Sequence, residues 1–201
     1  TDIRLRPFRP VRCMLAHPAA NTSEILEHLE LPAIAESKLD GIRAQLHVSR
    51  GRCRQYARSL EEVTHLFPEL NAAVEILDDD WILDGEIVAW QDGPLAFEEL
   101  QQRLGRRQVP LTLLLDVPVV YHAFDVLRAS GKDLIDEPLS SRKQVLGTIP
   151  NVGAVRRIEH ELATTPEAVG TLLETALEAG QEGVIFKDPK STYHPGSRGR
   201  A

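Results

Sequence analysis

One lysine sits between two acids in the stretch Glu36-Ser37-Lys38-Leu39-Asp40-Gly41-Ile42-Arg43. This is a candidate nucleophile with an arginine close behind it. A free lysine titrates near 10.4, so only about one in a few thousand is neutral and nucleophilic at pH 7. Burial or nearby cations disfavour the ammonium and raise that fraction. Arg43, Lys187 and a bound metal are the candidate sources of positive charge. Glu36 and Asp40 act in the opposite sense unless they are committed to other partners. The planar fork of Arg43 suits phosphate or ribose oxygens, and Gly41 allows a tight turn and close approach of a ligand. A structural reading competes: Asp-Gly between alternating apolar runs is a strong hairpin signal.

Three more polar segments interrupt apolar strands: Asp84-Gly85-Glu86, Phe124-Asp125, and Glu182-Gly183-Val184-Ile185-Phe186-Lys187. Singly, each has a bland explanation as a turn, a core aromatic or a linker. Together and in this order they resemble the covalent nucleotidyltransferases, and in particular the adenylation domain of ATP-dependent DNA ligases. The family pattern Glu-x-Lys-x-Asp-Gly-x-Arg is met by Glu36 to Arg43. Tyr56-Ala57-Arg58-Ser59-Leu60 is similar to the family's following arginine segment. Pro10 to Ala16 and Tyr193 to Arg198 also resemble ligase segments, so the resemblance spans nearly the whole chain.

The resemblance implies a chemistry. Lys38 attacks the α-phosphate of ATP, releases pyrophosphate and becomes lysyl-AMP. AMP then passes to the 5′-phosphate of nicked DNA, and the 3′-hydroxyl seals the nick. Glu36 would read the adenine edge, Phe124 and Ile185 would sandwich the base, and Arg43, Arg58 and Lys187 would hold ribose and phosphate oxygens. Glu86 would serve ribose and, with Glu182, Mg²⁺ or its substitute Mn²⁺. The implied fold is α+β: two packed, mainly antiparallel sheets flanked by helices, with the nucleotide pocket between them and Lys38 at its mouth. RNA ligases and capping guanylyltransferases share this core. A degenerate nucleic-acid-binding module is a further alternative, against which the intact Lys38, Glu86 and Glu182 argue. The family continues past the Tyr-x-Pro-Gly-x-Arg segment into a Lys-x-Lys strand and an OB-fold domain, and the chain ends at Ala201 before both. Residues 1–201 therefore read as one adenylation domain. The resemblance implies an OB-fold partner and an N-terminal DNA-binding domain elsewhere in the same protein, and a monomer that works on nicked duplex DNA.

Composition fits an ordinary globular chain: 201 residues, 42% hydrophobic and 26% charged. The net charge of −7 excludes a molecule that is basic all over, although arginines gather at 50–58 and 103–107. Two lone cysteines, Cys13 and Cys53, make neither a disulfide framework nor a zinc site. They suit a reducing compartment, cytoplasmic (nucleoid) or nuclear. No apolar run is long enough for a membrane span, and the first residues are no signal peptide.

The elements that must position these residues follow from local signals. Residues 1–20 read as an extended lead-in, and Asn21 to Glu24 offers caps for a helix through Leu29. A strand ends near Lys38. Ile42 to Val48 alternates as a half-buried strand, and Gly51 returns it through Cys53 to Ala57. Ser59 is a candidate helix cap. Further helices are expected at 71–77, at 96–104 with Phe97, Leu100 and Leu104 on one face, at 140–146 with Arg142 and Lys143 exposed, and at 165–179 ending at Gly180. Strands are expected at 81–90, interrupted by Asp-Gly-Glu, and at 118–126, 155–158 and 182–187. No regular βαβ spacing appears, so the architecture should be mixed and mainly antiparallel.

Overall fold

Asn21 opens the first helix: its side chain accepts the Glu24 N–H at 3.0 Å, and α1 covers Thr22–His28. The computed structural model describes residues 4–78, 80–151 and 153–198. The outermost residues of the predicted lead-in and tail lie outside that range. After α1 come β1 (Ala33–Ser37), β2 (Ile42–Ser49), β3 (Arg52–Ala57) and, beyond two short 3-10 turns, α2 (Ala73–Ile76). β4 (Trp81–Ala89), α3 (Phe97–Gln101), α4 (Leu111–Asp116), β5 (Val119–Ala129), β6 (Lys132–Asp133) and α5 (Leu139–Leu146) follow. The chain closes with β7 (Val155–Arg157), β8 (Glu161–Ala163), α6 (Pro166–Glu178) and β9 (Val184–Lys187).

These strands form two sheets, as expected. The larger has the order β3-β2-β4-β5-β6 with β7 added parallel to β5; the smaller has the order β8-β1-β9, all antiparallel. β1 and β2 therefore belong to different sheets. Lys38 to Gly41 is the crossover between them, and the competing hairpin reading of Asp40-Gly41 fails. The true hairpin is β2–β3, where Arg50 and Gly51 both take positive φ (51° and 65°), the hand that a two-residue turn needs.

Period-2 alternation divides the large sheet into two faces. Ala44, Leu46, Val48, Leu83, Ile87, Tyr121 and Ala123 point into the main core, which α2, α3 and the 3-10 turns cover with Leu66, Phe67, Leu70 and Leu100. A second core lies between the small sheet and α1 and α6, with Ala33, Ala35, Val169 and Phe186 at its centre.

Several expectations need correction. β2 is not half-buried: Gln45, His47 and Ser49 are buried as well, because the lead-in lies across their face. The Phe8 N–H donates to His47 Nδ1 (3.0 Å) and the Val11 N–H to Gln45 Oε1 (3.1 Å). Burial pushes the His47 pKa down to about 3, which keeps the ring neutral and able to accept that bond. No helix starts at Ser59. Residues 61–63 fold back on β3, with Ala57 N–H donating to Glu61 O and Val63 N–H to Gln55 O, so a ladder satisfies the backbone instead. β4 runs unbroken through Asp84-Gly85-Glu86. Leu104 lies beyond α3 and is exposed. Arg142 and Lys143 are buried. The helix α4 had no counterpart in the sequence reading. Among the described residues no helix is long and apolar enough to cross a membrane.

Candidate functional site

The face of the large sheet opposite the main core carries the polar residues. β2 and β4 pair Arg43 with Glu86 and Gln45 with Asp84, so these four share that face. Arg43 grips Asp84 bidentately, Nε to Oδ1 at 3.1 Å and Nη2 to Oδ2 at 2.7 Å. Tyr193 from the tail donates its hydroxyl to the same Asp84 Oδ2 at 2.7 Å. Two glycines let the backbones approach. A Cβ on Gly85 would lie 2.5 Å from the His122 carbonyl and the Tyr121 ring, and one on Gly41 would lie 2.3 Å from the Ile87 carbonyl. Gly41 thus serves contact with β4 rather than a turn.

Phe124 reaches the site through a register shift. Asp84 pairs with Asp125 and Gly85 with Ala123, which leaves Phe124 as the extra residue of a bulge. Phe124 and Asp125 consequently line the same cleft. That cleft, with a cavity volume of about 80 Å³, lies between the two sheets. Arg43 from β2, Ile185 and Lys187 from β9, Arg142 from α5, Met14 to Ala16 from the lead-in and Tyr193 from the tail complete its walls. Two cations lie on the aromatic ring: Arg43 Cζ is 5.0 Å and Lys187 Nζ 4.6 Å from the Phe124 centroid. A flat, electron-rich ring opposite a branched aliphatic, with cations at the margin, can hold a heteroaromatic base and an attached phosphate.

Beneath the ring lies a buried charge network. Lys143 and Lys187 both donate to the Glu36 carboxylate, and Lys143 also donates to the Phe124 carbonyl at 2.8 Å. Burial opposes the charge on Glu36, but Lys187 and Lys143 outweigh it and hold its pKa below the ordinary value. Burial and the neighbouring Lys187 push Lys143 down to about 8, against the pull of Glu36. Glu36 is thereby committed, which removes one of the two acids that would oppose a neutral Lys38. Beside it, Arg142 clamps Asp125 with Nε to Oδ1 at 2.7 Å and Nη2 to Oδ2 at 3.0 Å. Arg142 and Lys143 are the site residues that the sequence reading missed. A signal existed: Leu139, Arg142, Lys143 and Leu146 stand at i, i+3, i+4 and i+7, the spacing of one buried helix face.

The other candidates do not all meet in this cleft. Lys38 and Glu182 line an adjoining cavity that shares Ala16 and Ile185 with it. There Lys38 Nζ donates to Glu182, with both side chains about half exposed (45% and 47%). Glu86 lines neither cavity, but it lies within electrostatic reach of Lys38, Arg43, Asp40 and Asp84. Burial pushes its carboxyl up to about 8, opposed by Arg43 and assisted by Asp84 and Asp40. Arg58 is exposed and lines neither cavity. Among the described residues no group of three or more His, Cys, Asp or Glu could hold a metal by itself. The two predicted ligands, Glu86 and Glu182, are hard oxygen donors. A cation beside Glu86 would favour the ionised form that burial disfavours, and Mg²⁺ commonly takes one or two carboxylates together with substrate phosphates.

The family model "ATP dependent DNA ligase domain" matches residues 13–201. A "Probable DNA ligase" of Koribacter versatilis (strain Ellin345) is 40% identical, over 98% of this chain and 38% of its own length. A second "Probable DNA ligase", from Streptomyces griseus subsp. griseus, is 41% identical over 98% of this chain and 40% of its own. The chain thus spans about two fifths of the curated relatives it matches. Among solved structures, a mycobacterial DNA ligase D complexed with ATP and MES superposes with a TM-score of 0.74 at 29% identity, over 94% of this chain and 57% of that one. Matched across 189 of its residues, from Cys13 to Ala201, the chain belongs to the ATP-dependent DNA ligase domain family.

Proposed function

We propose that residues 1–201 form the adenylation domain of an enzyme that seals nicks in duplex DNA with ATP, and that Lys38 is the nucleophile. The observation that carries this reading is the cleft of Arg43, Phe124, Ile185 and Lys187 opening beside Lys38 and Glu182. Adenine lies between Phe124 and Ile185, and displaces the Lys187 ammonium now resting on the ring. Arg43 keeps its fork on Asp84 and offers its remaining N–H donors to ribose or phosphate oxygens. Lys187 swings from Glu36 to the α-phosphate, while Lys143 stays and keeps the Glu36 charge compensated. Glu36 then meets the adenine amino edge.

An ammonium has no lone pair, so Lys38 must lose a proton before it reacts, and Glu182 is the carboxylate already bonded to it. The amine nitrogen forms a bond to the α-phosphorus as the bond to the bridging oxygen breaks, and that electron pair leaves with pyrophosphate. Glu86 and Glu182 would hold Mg²⁺ or Mn²⁺, whose charge draws electron density from the phosphate oxygens. AMP then passes to the DNA 5′-phosphate and is displaced by the 3′-hydroxyl. The intact protein supplies an OB-fold domain and a DNA-binding domain, acts as a monomer and works where the chromosome is, in cytoplasm or nucleus.

Intact mass tests the reading, measured on the protein as purified, after ATP with Mg²⁺, and after added pyrophosphate. One AMP should be gained, removed by pyrophosphate, and absent from Lys38→Ala. An adduct that persists in Lys38→Ala refutes the nucleophile assignment. Absence of any adduct from both this chain and the longer natural protein refutes the activity.

A further inference from the structure

The chain is acidic overall, with a net charge of −7, yet one edge of it gathers arginines. β3 is the edge strand of the large sheet, and the lead-in doubles back against the β2–β3 hairpin. The turn is made at Pro7-Phe8, where the Arg9 N–H donates to the Arg6 carbonyl at 3.1 Å. It is pinned there by the Phe8 N–H on His47 Nδ1 and by the Tyr56 hydroxyl on the Phe8 carbonyl at 3.3 Å. Phe8 takes φ 64°, a conformation that a bulky residue adopts only when its surroundings hold it. Its ring in turn holds two guanidiniums, Arg52 at 5.3 Å and Arg54 at 5.5 Å from the centroid.

Arg6, Arg9 and Arg52 are exposed, while Arg54 is partly covered and shared with Glu62 at 2.7 Å. From the turn the lead-in passes the exposed Arg12 and becomes the Met14–Ala16 wall of the nucleotide cleft. A row of arginines, two of them held on the Phe8 ring, thus runs from the hairpin edge to the mouth of the site. An arginine stacked on a ring spends its π face and leaves its in-plane N–H donors pointing away. Such donors, repeated along a track, match a string of phosphate oxygens.

The geometry points to a second substrate-holding surface: the Phe8 turn and the β2–β3 hairpin grip the phosphate backbone of duplex DNA and lead it to the Lys38 site. The identity of this ligand rests on the function proposed above. The surface itself is made of residues with no part in nucleotide chemistry, and this separates the two tests.

The experiment compares the parent chain with the triple variants Arg6→Ala/Arg9→Ala/Arg52→Ala and Arg6→Lys/Arg9→Lys/Arg52→Lys. Fluorescence anisotropy with a nicked duplex, across a range of salt, reads affinity and its salt slope. The alanine variant should bind roughly tenfold more weakly, with a slope in log Kd against log salt shallower by about 2 to 3. The lysine variant should keep most of the slope, because it keeps the point charges. Lysyl-AMP formation, read by mass, needs no DNA and should be equal in all three proteins. Unchanged affinity and slope in the alanine variant overturn the inference, as does a lysine variant that loses as much as the alanine one. No binding by the parent chain at low salt overturns it too. Loss of lysyl-AMP formation from the parent chain would instead strike the proposed function and leave the surface standing.

Discussion

Replacing Arg142 by alanine should be among the most damaging single changes in this chain. The Arg142 side chain is 2% exposed and that of its partner Asp125 7%. Its guanidinium makes two bonds to the Asp125 carboxylate and donates from Nη1 to the carbonyls of Glu137 (2.6 Å) and Ser191 (3.1 Å). Truncation leaves a buried carboxylate without its cation and takes a donor from each carbonyl, of which Ser191 keeps the Leu139 N–H at 2.8 Å. Breaking a buried pair from one side costs about 3–5 kcal/mol, because the remaining charge is uncompensated. For a chain of this size that corresponds to a fall in Tm of roughly 6–20 °C. Urea denaturation should show a lower midpoint at unchanged m. Arg142→Lys should recover less than half, since one ammonium cannot replace a fork that serves four acceptors. Arg142→Ala/Asp125→Ala should cost less than the sum of its single changes, because it removes the orphaned charge. A loss below about 1 kcal/mol in Arg142→Ala would refute the claim that this clamp is a buried, water-free ion pair. Because Asp125 adjoins Phe124 in the bulge, ATP should also bind more weakly to whatever folds.

Two further outcomes follow from the same geometry. Burial raises the Glu86 carboxyl from its ordinary 4.5 to about 8, so the folded chain binds that proton more tightly than the unfolded one. Its contribution to stability is therefore full below pH about 4.5 and is lost as pH climbs through about 8. Glu86→Gln should flatten the Tm–pH curve across that window while reducing metal-dependent lysyl-AMP formation. An unaltered slope would show that Glu86 is already ionised in the folded chain. Gly41→Ala drives a Cβ to within 2.3 Å of the Ile87 carbonyl, so the crossover or β4 must shift. The expected cost is about 1–3 kcal/mol by thermal unfolding, with a larger proportional loss of lysyl-AMP formation because Lys38 sits in that crossover. A melt equal to the parent's would mean that the backbone yields without strain.

Much of the fold was legible because its signals are local. Asn21 and Thr165 cap the helices they were expected to cap, each accepting a backbone N–H three residues on. Gly180 ends α6 at φ 75°, and Gly51 closes a hairpin. The failures have one physical source, a tertiary partner that outbids a local preference. Ser59 has a good capping side chain, but the backbone of 61–63 pairs with β3. Arg142 and Lys143 have the side chains of a solvated helix face, but Asp125 and Glu36 wait beneath them. The alternation of β2 predicts one wet face, and the lead-in covers it through His47 and Gln45.

The sequence by itself determined the residue types, their order and the short elements that carry them, because caps, turns and alternation depend on neighbours a few positions away. It was enough to single out Lys38 as a candidate nucleophile and to find the segments that resemble the family's. Only the tertiary structure decided which charges are free to act. Glu36 is held by Lys143 and Lys187, which lie 107 and 151 residues further along the chain, and Lys38 rests on Glu182, 144 residues on. Such pairings are fixed by how two sheets, a bulge at Phe124 and a buried helix face come together. In the buried Glu36 network, which opposite charge is nearest sets the ionisation.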